Sequence, residues 1–272
     1  MSTTTQQHFY RSGQVRERVP FQNGRRHGVV RTWHRNSALA SEEVFRNGLL
    51  HGICRQWDET GRLLGKYRMV HGTGIQRAWH DNGKLQMEVS TVGGEFTGRN
   101  RIWLRDGTLI SERFYLRGRV VSPQDYRAAT AKDKTLPKFR GRPAKLPPDN
   151  RATQRHVHQV FVASLLDKEN QSEARSWLAK GKSSLARFKR AGSAAKFVEE
   201  LYGAGAVEVV APDICSDRAG DQFADGLLVR LPKSAAKRKA IRKVCVQLKQ
   251  RKLGVVQPDR DVGESHLYLS MA

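Results

Sequence analysis

Two stretches near the C-terminus gather carboxylates against a basic background. "PDICSDRAGDQFADG" (212–226) carries Asp213, Asp217, Asp221 and Asp225, and "PDRDVGE" (258–264) carries Asp259, Asp261 and Glu264. Carboxylates that converge can hold Mg2+ or Ca2+. The first four stand four residues apart rather than two, so they are not an EF-hand loop. Asp213, Asp217, Asp259 and Asp261 are the metal candidates, but the plainer expectation is solvated loops that balance a neighbouring basic helix, with no metal and no cofactor. His27 and His51 recur at equal positions, with His71 nearby. Strand-like copies would hold them too far apart to share one ion, so a turn residue bonding locally is the expected role. No nucleophile elbow, zinc-protease helix or phosphate loop is present, and Gly203 and Gly205 follow a helix instead of opening one. A non-enzymatic protein is expected; a metal-dependent enzyme in the C-terminal domain is an alternative.

The net charge of +23 points to a polyanion or an acidic protein. "KFRGRPAK" (138–145) gives the charge a local form. Arg140, Gly141, Arg142 and Pro143 resemble the core of an AT-hook, whose extended chain follows the minor groove of A·T-rich DNA. Lys138 and Lys145 would then meet phosphates. A DNA-associated protein using this stretch and the basic helix at 234–254 is one alternative function.

The elements that must position any site come from a repeat. Trp33, Trp57, Trp79 and Trp103 lie 24, 22 and 24 residues apart, and Phe9 takes the same place in a leading copy. Arg31, Arg55, Arg77 and Arg101 each stand two residues before a tryptophan. Gly28, Gly52, Gly74 and Gly98 stand five before; Leu39, Leu63, Leu85 and Leu109 stand six after. A period of this length means stacked supersecondary units. Each copy reads as a hairpin: a strand such as "GVVRTW", a turn such as "HDNG" or "LRDG", and a second strand such as "TLISERFYL". The tryptophans are expected to stack as a ladder. The arginines are expected to lie over the rings or pair with Glu43, Glu88 or Glu112. Arg31, Trp33, Arg55, Trp57, Arg77, Trp79, Arg101 and Trp103 form the expected binding surface.

"GLLHGICRQWDETGRLL" (48–64) and "GIQRAWHDNGKLQME" (74–88) resemble the repeat of the MORN-repeat variant proteins, the group often labelled YwqK-like antitoxins. Their repeat has the form G-x-x-x-G-x-x-x-x-W-x-x-x-G-x-L-x-x-E, and the likeness covers residues 9–120. It implies sheets of stacked hairpins that serve as interaction surfaces, with an antitoxin-like neutralising role as the family-level expectation.

After about Val121 the period stops. The reading divides the chain into a hairpin array (1–121), a basic, Pro-rich and largely disordered linker (122–152) and a small α/β domain (153–272). The fold class is α+β overall, with an all-β N-terminal array and a C-terminal sandwich-type domain. In the latter, helices are expected at 155–169, 172–181, 193–205 and 234–254, against one face of a sheet. A right-handed crossover is expected to set 226–231 parallel to 265–270. The scattered Cys54, Cys215 and Cys245, the lack of an apolar leader and the lack of a long apolar run lead to a cytoplasmic expectation. The expected partner is another protein. Nucleic acid and peripheral contact with anionic lipid are the other candidates.

Overall fold

The computed structural model describes residues 2–10, 12–139, 141–185, 188, 191–217, 219–250 and 261–270. They divide into two compact units, Met1–Pro148 and Asp149–Ala272.

The first unit is built on one fourteen-stranded antiparallel sheet. Its first hairpin is β1 (Thr3–Phe9) and β2 (Val15–Gln22). The short β3 (Arg25–Arg26) leads to β4 (Gly28–Trp33) and β5 (Leu39–Arg46), and β6 (Leu49–Leu50) leads to β7 (Gly52–Trp57) and β8 (Leu63–Val70). Then come β9 (Thr73–Trp79), β10 (Leu85–Val92), β11 (Glu95–Phe96), β12 (Gly98–Trp103), β13 (Leu109–Leu116) and β14 (Arg119–Val121). The long strands pair in chain order, so the sheet grows one hairpin per copy. The Asn-Gly and Asp-Gly turns work because glycine accepts the left-handed backbone: Gly83 has φ 83° and Gly107 has φ 96°. Beside Trp33, Trp57 and Trp103 the register slips by one residue, a bulge that sharpens strand twist.

Successive turns are tied by side chains reaching a tryptophan carbonyl 23 residues on. Tyr10 Oη donates to Trp33 O at 2.6 Å, and Gln56 Nε2 donates to Trp79 O at 3.0 Å. The Nε2 atoms of His34 and His80 lie 2.9 and 3.0 Å from the carbonyls of Trp57 and Trp103. Asn36 and Asn82 repeat the device one step out, each donating at 2.8 Å to the carbonyls of Glu59 and Arg105. These bonds, not ring stacking, align the copies. Among the described residues no two indoles touch, which corrects the expected ladder. Trp79 lies 6.5 Å from the Tyr67 ring and covers Gly65, where a Cβ would meet the indole at 2.3 Å. It borders a shallow core of Val19, Val30, Phe45, Leu50, Cys54, Tyr67 and Met69.

Part of the expected linker is ordered against the array. Ser122 caps α1 (Pro123–Lys132), its Oγ accepting from Asp125 N, with proline at the first helical position. Tyr126 is fully buried, and Leu136 and Phe139 follow it onto the array. A few aromatic contacts and a good cap order a stretch whose bulk composition reads as solvated.

The second unit holds α2 (Arg151–Leu166), β15 (Ser172–Glu173), α3 (Ala174–Leu178), β16 (Ser183–Leu185), α4 (Ala191–Gly203), β17 (Glu208–Ala211), β18 (Cys215–Ser216), β19 (Gln222–Ala224), β20 (Gly226–Arg230), α5 (Ala235–Gln250) and β21 (His266–Ser270). One sheet runs β15-β17-β20-β21 and a smaller one β16-β19-β18. Trp177, Phe197, Leu201, Ile241 and Cys245 from α3, α4 and α5 pack on Val209, Leu227, Val229, Leu267 and Leu269. On the other side of the sheet, Phe161 of α2 meets Tyr268 edge-on at 5.3 Å. Helices therefore cover both faces, not one. The expected parallel crossover is also overturned: β20 and β21 are antiparallel. The cause is the return of the chain to the start of α5. Arg238, in that helix's first turn, grips Asp261 at 2.6 Å and the Glu264 carbonyl at 2.9 Å, so β21 begins where β20 ends.

Candidate binding face

A β-strand alternates its side chains, so a cross-strand pair places two residues on one face. Pairings through the array connect its arginine column into one row. Gln7 pairs with Arg18, Arg18 with Arg31, Arg31 with Glu42, Glu42 with Arg55, and Arg55 with Lys66. Beyond, Arg77 pairs with Glu88, Glu88 with Arg101, and Arg101 with Glu112. The join between the halves is the pairing of Met69 with Gly74. Carried three residues along both strands, it sets Lys66 level with Arg77.

Glutamates hold most of these arginines. Glu42 lies 2.8 Å from Arg31 and 3.8 Å from Arg55. Glu88 accepts from Arg77 at 2.9 Å and closely from Arg101. Burial alone would raise the Glu88 carboxyl, but the bonds from Arg101 and Arg77 outweigh it and hold it below its ordinary range. The expected partner Glu43 is replaced by Glu42. Glu43 faces the other way and accepts from Tyr67 Oη at 3.0 Å. The arginine–tryptophan contact appears where Arg101 lies 4.8 Å from the Trp103 ring centre, and Trp33 is met instead by Arg18 at 5.9 Å.

A second row lies beside the first on the same face. Val29 pairs with Val44, Ile53 with Arg68, Ile75 with Ser90, and Arg99 with Phe114. Ile53 and Ile75 are each 41% exposed, which leaves apolar surface next to charge in the middle of the array. At the far end the chain covers this row itself. Phe139 sits 4.6 Å from Phe114 and 6.1 Å from Tyr126, with the guanidinium groups of Arg99 and Arg127 at 5.7 and 5.0 Å. Ala144 N donates to the Glu112 carboxylate at 2.7 Å.

The opposite face has a cleft of about 290 Å3 lined by Glu43, Gln56, Tyr67, Gln76 and Met87, among others. Burial, then Glu43, pushes the Tyr67 phenol far up, and burial also raises the neighbouring Cys54 thiol. Both stay neutral, so the cleft offers hydrogen bonds but no activated nucleophile.

The other expected sites are dispersed. Asp261 bonds Arg238, and Glu264 bonds Arg242 and lies 3.6 Å from Arg238. The Arg238 bond holds the Asp261 carboxyl far below its usual range. Asp217 closes its own turn by accepting from Ala219 N and Asp221 N. Among the described residues no three metal-binding side chains gather, and Asp259 lies outside them. Asp213 lies in the left-handed region at φ 52°, and its carbonyl accepts from Cys215 Sγ at 3.4 Å. Of the AT-hook-like stretch, Arg140 lies outside the described residues. Gly141 turns at φ 84° and its carbonyl accepts from Arg127, so the chain there is not extended as the motif requires; Lys138, Arg142, Pro143 and Lys145 are exposed. His27 lies 3.3 Å from Asn47, and His51 accepts from His71 N at 3.2 Å, so both reach the turn of the next copy, 20 residues on, and not their own turn as expected. No helix among the described residues is long and apolar enough to cross a membrane.

Glu42, Lys66, Ile53, Ile75 and Phe139 were not singled out by sequence reasoning. The glutamate that ends the repeat pattern supplied a signal: read as a column it gives Glu42, Lys66, Glu88 and Glu112, with one reversal of sign.

A sheet that grows by one similar hairpin per copy and carries a patterned face defines a stacked-hairpin repeat module. Residues 3–23 and 73–92 match the family model of the MORN repeat variant, so the leading and third copies carry this repeat. Repeats of this kind are suited to binding a protein or a membrane surface. No curated protein and no solved structure matches the chain.

Proposed function

We infer that the array is a protein-binding module that works without chemistry of its own, and that its outer face of charged and apolar rows is the contact surface. The observation that carries this reading is the docking of Phe139 and Ala144 on the last repeat. There a segment of polypeptide already uses an aromatic anchor in a cationic box and a backbone N–H on a row glutamate. The same face in the central copies is open and keeps Ile53 and Ile75 exposed. Apolar anchors ringed by charge are the usual make-up of a recognition surface. An antitoxin-like role, in which the face covers a toxic protein, is the use that the likeness to YwqK-like proteins supports. Cys54, Cys215 and Cys245, none of them in a disulfide, suit a reducing compartment such as the cytoplasm.

The test immobilises the full-length chain at moderate salt and identifies retained proteins by mass spectrometry. A specific partner should be held by the wild type and lost from the Ile53→Glu/Ile75→Glu variant. No retained protein, or an identical set on both, overturns the reading.

A further inference from the structure

The row across the array alternates sign over most of its length, and it fails to do so at one place. Arg31–Glu42–Arg55 and Arg77–Glu88–Arg101 each set one carboxylate between two guanidiniums from successive copies. Between these triplets, where the alternation calls for another carboxylate, stands Lys66, paired directly with Arg55. Like charges directly opposite on adjacent strands repel. Lys66 is exposed and has no hydrogen-bond or ion-pair partner among the described residues. Arg55 reaches its one carboxylate only at 3.8 Å, and 41% of its side chain is exposed. Three cations therefore stand side by side. In the next row Arg68 lies level with Lys66 and is flanked by Ile53 and Ile75.

We propose that Arg55, Lys66 and Arg77 form the specificity site of the array, and that it takes an extended acidic segment of a partner protein. A glutamate or aspartate of that segment supplies the missing carboxylate, and apolar residues beside it lie on Ile53 and Ile75. A side-chain carboxylate is favoured over a phosphate surface because both neighbouring triplets already show what these arginines hold, a single carboxylate bridging two copies. The apolar row also asks for a ligand that alternates charged and apolar side chains, as an extended peptide does. This proposal rests on the binding-module reading and names its partner.

The experiment measures fluorescence anisotropy of a labelled decapeptide alternating glutamate with leucine or threonine, added to the full-length chain at low salt. Lys66→Glu is the informative variant, because it restores the alternating row and leaves the fold supported; circular dichroism checks this. Lys239→Glu, on an exposed position of α5, changes net charge equally. Expected is tight binding by the wild type and by Lys239→Glu, with a loss on the order of tenfold or more for Lys66→Glu, the scale of one lost charge-assisted contact. Equal weakening by both variants would mean that net charge alone attracts the peptide, and it overturns the site. Binding indifferent to Lys66 does the same. Phosphatidylserine vesicles that bind in a Lys66-dependent way while the peptide does not would assign the trio to a membrane instead. If the full-length chain holds an Ile53- and Ile75-dependent partner that Lys66→Glu does not weaken, the module reading stands and this site falls. If no partner is held at all, the module reading falls first.

Discussion

The two units treat charge in opposite ways. In the array, arginines and glutamates lie in a row on an outer face, and the core beneath is shallow. In the C-terminal unit, Glu264 is fully buried, held by Arg242 and by Val262 N at 2.9 Å, beside a dense core on both α-helical and β elements. Buried ion pairs fix one arrangement and are costly to break. In the array Glu88 is buried too, but Arg55 and Arg77 keep over a third of their side chains open to solvent, and charge that is exposed contributes less to stability and remains available to an incoming partner. On the proposed reading, the charges of the second unit hold its fold and the open cations of the first are the ones that meet a partner.

Glu264→Ala tests that contrast hardest. It removes the buried carboxylate that Arg238 and Arg242 share, and should cost about 3–5 kcal/mol in urea unfolding followed by circular dichroism. A cost near that of a surface change would erase the distinction. Glu88→Gln should cost about 1.5–3 kcal/mol at neutral pH, the range for hydrogen bonds to a charged group. Here the sign with pH is fixed. The folded Glu88 carboxyl titrates below its ordinary value of 4.5, so its stabilisation is complete above that value and fades as pH falls through the lowered one. The variant should therefore flatten the acid limb of the array's stability curve; an unchanged limb would show that the row contributes nothing. Lys66→Glu should have the smallest effect and the opposite direction. It replaces a repulsive pair with an attractive one and should raise the array's urea midpoint by an amount worth about 0.2–1 kcal/mol. A gain in stability together with a loss of peptide binding would separate recognition from folding at one residue.

The array was legible because its signal is repeated. Tryptophan, arginine, glycine and leucine columns gave the hairpins, their turns and their order, since every copy solves the same local problem. What lay between copies was less visible. Whether Glu42 or Glu43 faces Arg31 depends on strand register, and the carbonyl bonds of His34, Gln56 and His80 depend on which side chains reach the next turn. In the second unit, periodicity gave most helices and strands, but the parallel crossover was wrong because Arg238 draws residues 261–264 back to the helix start, a contact with no sequence signature. The first part of the expected linker, residues 122–139, hid its order for a related reason. Average composition cannot register that Tyr126, Leu136 and Phe139 have a surface waiting for them.

The row also acts as a ruler. Adjacent strands lie about 4.8 Å apart, whereas same-side residues of an extended peptide recur roughly every 6.7 Å. A ligand laid along the row falls out of step with it within a few residues, so only a short window can match charge for charge. Arg55, Lys66 and Arg77 span about 10 Å on that spacing, by which point the two pitches are roughly half a peptide repeat out of step, so the trio meets a single carboxylate and not a series of them. Lengthening the array would add surface without widening the window, and the place where one copy breaks rank would still decide what fits.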